Sequence, residues 1–124
     1  MREILFRGKS GSKWAYGDLW HLNDGRVTIR KDGEIFPYEV IPDTVGQYTG
    51  LTDKNGNRIF EGDIVNDEQS GYNYFIKWFP EYACFALANK NGHIEFGCDE
   101  LEIFLDDLVV IGNIHDNPDL LKGE

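Results

Sequence analysis

The chain has 124 residues and a formal net charge of −10, from 12 basic and 22 acidic side chains. Aromatic residues make up 14% of it, which excludes a disordered acidic chain, and a chain of this length can bury a sizeable core. The negative charge repels phosphate backbones and argues against general nucleic-acid binding. No apolar run approaches the roughly 18 residues of a membrane span. We therefore expect a soluble, folded, cytoplasmic protein.

The charge is unevenly distributed along the chain. Residues 1–13 contain Arg2, Arg7, Lys9 and Lys13 against one acidic residue, whereas residues 95–124 are strongly acidic. This asymmetry suits head-to-tail contact between subunits, although a solvated surface is the simpler explanation because exposed ion pairs contribute little.

The first 43 residues are predicted to form an N-terminal β meander. A first strand is expected near Glu3, followed by a Gly/Ser loop at residues 8–10. Residues 26–30 then alternate polar and apolar side chains, as a half-buried strand does. Asp-Gly pairs at 24–25 and 32–33 flank this strand and are typical of tight hairpin turns. The pattern predicts a three-stranded meander over residues 14–41.

Residues 44–124 are predicted to form a small SH3-like β-barrel. Five segments have strand character: 63–66, 72–79, 83–88, 93–96 and 108–114. Asn-Gly pairs at 55–56 and 91–92 add two more hairpin signals, and closure of the sheet would leave few free edges. Residues 99–105 fit a short helix or a strand, and Pro118 begins a last helical turn. The predicted class is mainly β, with one or two short helices.

The most apolar segment, residues 72–88, is the predicted self-association surface. Its first strand has aromatic side chains on both faces, and a barrel interior covers only one of them. The other face would then lie against the meander or against a second copy of the chain. The candidate interface residues are Tyr74, Phe75, Trp78 and Phe79.

No catalytic, cofactor-binding or metal-binding residues are predicted. The set Cys84, His93, Cys98 and His115 contains zinc-ligand residue types, but it lacks the paired spacings of zinc sites. We expect both cysteines to be free thiols. Residues 53–57 offer oxygen atoms two residues apart, but they lack the later glycine and glutamate of a calcium loop. Acidic residues between 95 and 107 fit either a solvated face or paired carboxylates for acid–base chemistry.

Residues 45–65, VGQYTGLTDKNGNRIFEGDIV, resemble the signature of the YopX family of bacteriophage and prophage proteins. The opening MREILFR and the closing VIGNIHDNPDLL are similar to the family's ends and occur in the same order. The resemblance implies a β-rich fold with an SH3-like C-terminal part, a phage or prophage origin, and no known catalytic residues. Within the signature, Gln47, Tyr48 and Thr49 either pack inside the protein or line a groove between the two lobes.

Two functions from different classes remain open. The first is a non-enzymatic interaction module that binds itself, and possible further partners are host or phage proteins. The second is an acidic decoy that mimics nucleic acid and inhibits a host enzyme, which the charge of −10 motivates.

Overall fold

The computed structural model describes residues 3–122, and of Cys98 it describes the backbone alone. The chain is mainly β with one short α-helix, as predicted, and its strands form two antiparallel sheets of six and five strands. It divides into two compact units, the first ending at Tyr48 and the second beginning at Thr49. The boundary predicted from sequence lay after residue 43.

Four strands form the body of the first unit, in the spatial order β4-β3-β2-β1. They are β1 (Phe6–Ser10), β2 (Lys13–His21), β3 (Val27–Arg30) and β4 (Tyr38–Val40). Each neighbouring pair is antiparallel, so the meander predicted over 14–41 is confirmed. The loop predicted at residues 8–10 is wrong, because these residues end β1 and the turn follows them.

Gly17 marks the point at which β2 changes partners. Residues up to Gly17 pair with β1, and those from Asp18 onward pair with β3. A Cβ atom at Gly17 would lie 2.2 Å from the backbone oxygen of Arg30, and φ there is +155°. Only glycine permits this approach of two backbones.

The sheet of the first unit curls back onto its own first strand. The Ile41 N–H donates to the Lys9 carbonyl at 2.9 Å, and the Lys9 N–H donates to Thr44 Oγ1 at 2.8 Å. A Cβ atom at Gly8 would lie 2.9 Å from the side chain of Val40. The curl encloses a small core of four buried residues, Ala15, Val27, Ile29 and Val40.

The second unit contains the five-stranded sheet, in the order β10-β9-β8-β7-β11. The remaining strands and the helix are β5 (Gly46–Thr52), β6 (Arg58–Phe60), β7 (Asp63–Asp67), β8 (Asn73–Phe79), β9 (Cys84–Ala88), β10 (Ile94–Phe96), α1 (Cys98–Ile103) and β11 (Leu108–Asn113). β5 begins in the first unit, where Gly46 and Gln47 pair with β1. The five predicted strands are all present, and residues 98–103 form a helix.

The predicted closed barrel is wrong. β10 and β11 are the two ends of the five-stranded sheet, and among the described residues no backbone ladder joins them. Closure needs a tilt and stagger of the strands that bring the end strands together. Instead, Leu101 of α1 packs into the core of this unit, whose buried members are Ile59, Val65, Ile76, Leu87, Leu101 and Leu108.

Candidate interaction surface

The aromatic residues predicted as an interface lie on β8, and both faces of this strand are packed within the single chain. Tyr74 packs against the core of the second unit. Phe75 and Phe79 form a separate cluster with Ala86 and Ala88, and Phe79 is only 7% exposed. The burial of this face therefore needs no second copy.

Trp78 is the exposed member of the four predicted interface residues. Its side chain is 40% exposed, and its ring lies 5.0 Å from that of Phe85, edge to face. Self-association through residues 72–88 stays a prediction. Of the four predicted interface residues, Trp78 is the one exposed enough to contact a second copy.

The three residues predicted to line a groove lie on β5. Tyr48 and Thr49 are buried, and Gln47 is half-buried. Thr49 Oγ1 donates to the Ile59 carbonyl at 2.8 Å and accepts from the Leu51 N–H at 3.2 Å. Thr49 thus has a structural role, and the groove at these residues stays a prediction.

An aromatic surface lies on the outward side of β2 in the first unit. Side chains alternate between the two faces of a strand. Trp14, Tyr16 and Trp20 therefore share the face opposite to that of the buried Ala15. The guanidinium carbon of Arg7 lies 4.7 Å from the centre of the Trp14 ring, a cation–π contact. Trp20 is 69% exposed.

The loop between β3 and β4 adds further apolar side chains to the surface of the first unit. Ile35 and Phe36 follow the turn at Asp32 and Gly33, and both are almost fully solvent-exposed, with Phe36 at 78%. Ile35 and Phe36 are adjacent in the chain, and adjoining exposed apolar side chains mark interaction sites more often than isolated ones do.

A groove of about 380 Å³ lies between β2 and this loop. It lies beside residues 13–16 of β2. This part of β2 is not paired with β3, because β3 pairs with β2 only from Asp18 onward. The lining combines aromatic and cationic groups, and its residues are Ser10, Lys13, Trp14, Ala15, Tyr16, Lys31, Glu34 and Tyr38.

A second cleft, of about 350 Å³, lies beside the turn between β9 and β10. Asn89 Oδ1 accepts from the N–H groups of Asn91 and His93, at 2.9 and 3.2 Å. Its Nδ2 donates to Glu95 at 2.8 Å. These polar groups build the turn itself, so their hydrogen bonds explain why they are there.

Asp53 is a heavily hydrogen-bonded carboxylate in the YopX-like signature. Its Oδ1 accepts from the N–H groups of Asn55 and Asn57 at 2.9 and 2.8 Å, and its Oδ2 accepts from the Val110 N–H at 3.0 Å. Burial tends to raise the pKa of Asp53, but these hydrogen bonds outweigh it and lower the pKa. The carboxylate thus ties the turn at 53–57 to β11.

Cys84 is disulfide-bonded, so the prediction that it is a free thiol is wrong. Spacing along the chain does not reveal which cysteines the fold brings close. The side chain of Cys98, the other predicted free thiol and possible zinc ligand, lies outside the described residues, as do Arg2 and Glu124 of the two charged stretches. In the described part of the chain no three His, Cys, Asp or Glu side chains cluster as a metal site would require.

The two units differ in charge. The 48 residues of the first unit include 7 basic and 7 acidic side chains and so have no net charge. The other 76 residues include 5 basic and 15 acidic side chains and carry the entire charge of −10. The predicted boundary after residue 43 gives the same division, since residues 1–43 also contain 7 basic and 7 acidic side chains. The net charge of each predicted part was therefore the sequence signal that could have revealed it.

These observations define a mainly β protein with a neutral aromatic unit and an acidic unit. The model of the YopX family, described as YopX protein, matches residues 6–122, and the chain belongs to this family. It is also similar in fold to the crystal structure of protein EF1440 from Enterococcus faecalis, with 22% identity and a TM-score of 0.60 over 98% of this chain and 100% of that one. Among curated proteins there is no match. Within residues 3–122, none of the helices has the length and apolar character needed to cross a bilayer.

Proposed function

We propose that the chain is a non-enzymatic protein-interaction module that associates with itself. The observation that carries this proposal is the exposure of two aromatic rings in the first unit, that of Trp20 on β2 and that of Phe36 in the loop between β3 and β4. Aromatic side chains are enriched at the centres of protein interfaces, where their burial stabilises the complex.

The setting we propose is the cytoplasm of a bacterium that carries a phage or prophage. The family resemblance supports this origin. A host or phage protein is the alternative occupant of the same surface. General nucleic-acid binding is not part of the proposal, because the net charge of −10 opposes it.

Sedimentation velocity over micromolar concentrations tests self-association directly. The wild-type chain is expected to shift from monomer to a larger species as concentration rises. The variant Trp20→Ser/Phe36→Ser removes two exposed rings and is expected to remain monomeric while keeping its circular dichroism spectrum. Ile111→Ser, which removes an exposed apolar side chain of β11 in the second unit and lies outside residues 72–88, is the matched control and should associate as the wild type does.

Two results would count against this function. A wild-type chain that is monomeric throughout would remove self-association. A Trp20→Ser/Phe36→Ser variant that associates like the wild type would remove the aromatic surface as its cause.

A second candidate is the acidic decoy that occupies the nucleic-acid site of a host enzyme. The concentration of all net charge in the second unit favours it, since a decoy needs a dense negative surface. Purified chain should then release a nucleic-acid-binding host protein from immobilised DNA. A variant with Glu100→Gln, Glu102→Gln and Asp106→Asn should release less of it. Release of nothing by the wild-type chain would reject the decoy.

A further inference from the structure

We propose that the groove of the first unit binds the acidic helix α1 of a second copy of the chain. This inference rests on the proposed self-association and names the two surfaces that meet. It is supported by the chemistry of the groove, by that of α1, and by the opposite local charges of these two surfaces.

The groove offers two lysines that form no ion pair with any residue from 3 to 122. These lysines, Lys13 and Lys31, are exposed on opposite walls. The half-buried Glu34 is the single acidic residue of the lining. A ligand that brings carboxylates would therefore find two available ammonium groups.

The groove also offers apolar surface beside these cations. The rings of Tyr16 and Tyr38 line it and are both partly exposed, and Trp14 lies alongside. Such walls can take an aliphatic side chain as well as a charge. The best ligand is thus an acidic segment that also presents an apolar group.

Helix α1 has this composition on its exposed side. Asp99 and Glu100 precede Ile103 by four and three residues, so the three side chains share one helical face. Ile103 is 70% exposed, whereas Leu101 on the other face is buried in the core. Neither Asp99 nor Glu100 forms an ion pair with another described residue.

Local charge and apolar surface favour a second copy over a nucleic acid as the occupant. A nucleic acid carries phosphates along its whole length, and those beyond the groove would lie close to a chain with a net charge of −10. A second copy has the same net charge, but its Asp99 and Glu100 lie beside Ile103, so it brings both the carboxylates and the apolar side chain that the groove can accommodate. The second copy is also always present at the concentration of the first.

Two charge-reversed variants, Lys13→Glu/Lys31→Glu in the groove and Asp99→Lys/Glu100→Lys on α1, test the pairing by sedimentation velocity. Each variant alone is expected to associate at least about tenfold more weakly than the wild type, because like charges then face each other. An equimolar mixture is expected to recover association, since the acidic groove of one variant matches the basic helix of the other. High salt should weaken the recovered complex.

Lys90→Glu/Lys122→Glu is the matched control, because it reverses two exposed lysines of the second unit and should leave association unchanged. Circular dichroism checks that each variant is folded. If a reversal unfolds the chain, the neutral replacements Lys13→Gln/Lys31→Gln and Asp99→Asn/Glu100→Gln take its place, with weaker association expected of each.

The outcomes separate this inference from the function on which it rests. If the wild type associates and the groove and helix variants do so equally well, the pairing is overturned and self-association stands. A wild type that is monomeric at every concentration overturns both. If a labelled single-stranded oligodeoxynucleotide binds the wild type and not Lys13→Glu/Lys31→Glu, the groove is a nucleic-acid site and the pairing is overturned.

Discussion

The first unit has no net charge and exposes the rings of Trp20 and Phe36, whereas the second unit carries the charge of −10 and buries Ile76 and Leu87 almost completely. The core of the first unit has four buried members, and the main core of the second has six. The comparison separates two uses of apolar residues. The second unit has the larger buried core, whereas Ile35 and Phe36 of the first are the two most exposed large apolar side chains of the described residues.

Removing a core side chain from the second unit should have the largest effect. Leu87→Ala is expected to lower the free energy of unfolding by roughly 3 kcal/mol, because the change deletes buried methyl groups and leaves a cavity. Urea denaturation followed by circular dichroism measures it. Trp20→Ser, at an exposed position of the first unit, should change the same quantity by less than about 0.5 kcal/mol. Equal losses would contradict the contrast between the units.

Gly17→Ala tests whether the bend in β2 holds the first unit together. The added Cβ atom would meet the Arg30 backbone oxygen, so we expect a loss of about 2 kcal/mol in the free energy of unfolding, in the range of overpacked sites. Gly25→Ala is the control, since open space surrounds that position and only its positive φ is strained. Hydrogen exchange should show the Gly17→Ala loss in β1–β3 rather than in the second unit.

Asp53→Asn should destabilise the second unit in a pH-dependent way. Each oxygen of the carboxylate accepts two hydrogen bonds, and asparagine replaces one of these oxygens with an N–H donor. We therefore expect the free energy of unfolding to fall by about 2 kcal/mol at neutral pH. The folded-state pKa of Asp53 is lowered from 3.8. Its stabilising contribution is therefore complete above pH 3.8 and disappears as the pH falls through the lowered pKa.

Urea denaturation of the wild type and of Asp53→Asn over a series of pH values checks this. The gap between the two proteins should narrow toward low pH. A gap that stays constant, or that widens in acid, would show that Asp53 does not stabilise the fold as a carboxylate.

Thiol labelling provides the smallest test, at a single residue of the second unit. Cys84 should resist alkylation in denaturant without reductant and react after reduction, because it is disulfide-bonded. Alkylation before reduction would indicate a free thiol. That result would agree better with a reducing cytoplasm, where disulfides rarely persist.

Local patterns in the sequence predicted most of the strands and turns. The glycines of the four predicted Asp-Gly and Asn-Gly turns all have φ between 81° and 92°, which the dipeptides favour because glycine alone adopts positive φ without cost. Strand alternation located β3 and the five strands of the second sheet. It missed β5, in which Gly46 and Gly50 weaken the strand pattern, and β6, which has only three residues.

The sequence by itself determined the β class, the hairpin turns and the family, because each depends on neighbouring residues or on an ordered set of motifs, whereas it left residues 99–105 open between helix and strand. Only the tertiary structure decided which face of β8 is covered, that the sheet of the second unit stays open, and that Cys84 finds a partner. It also decided that Lys13 and Lys31 share a groove. These features depend on residues far apart in the chain, and their proximity follows from curvature and packing that no local pattern encodes.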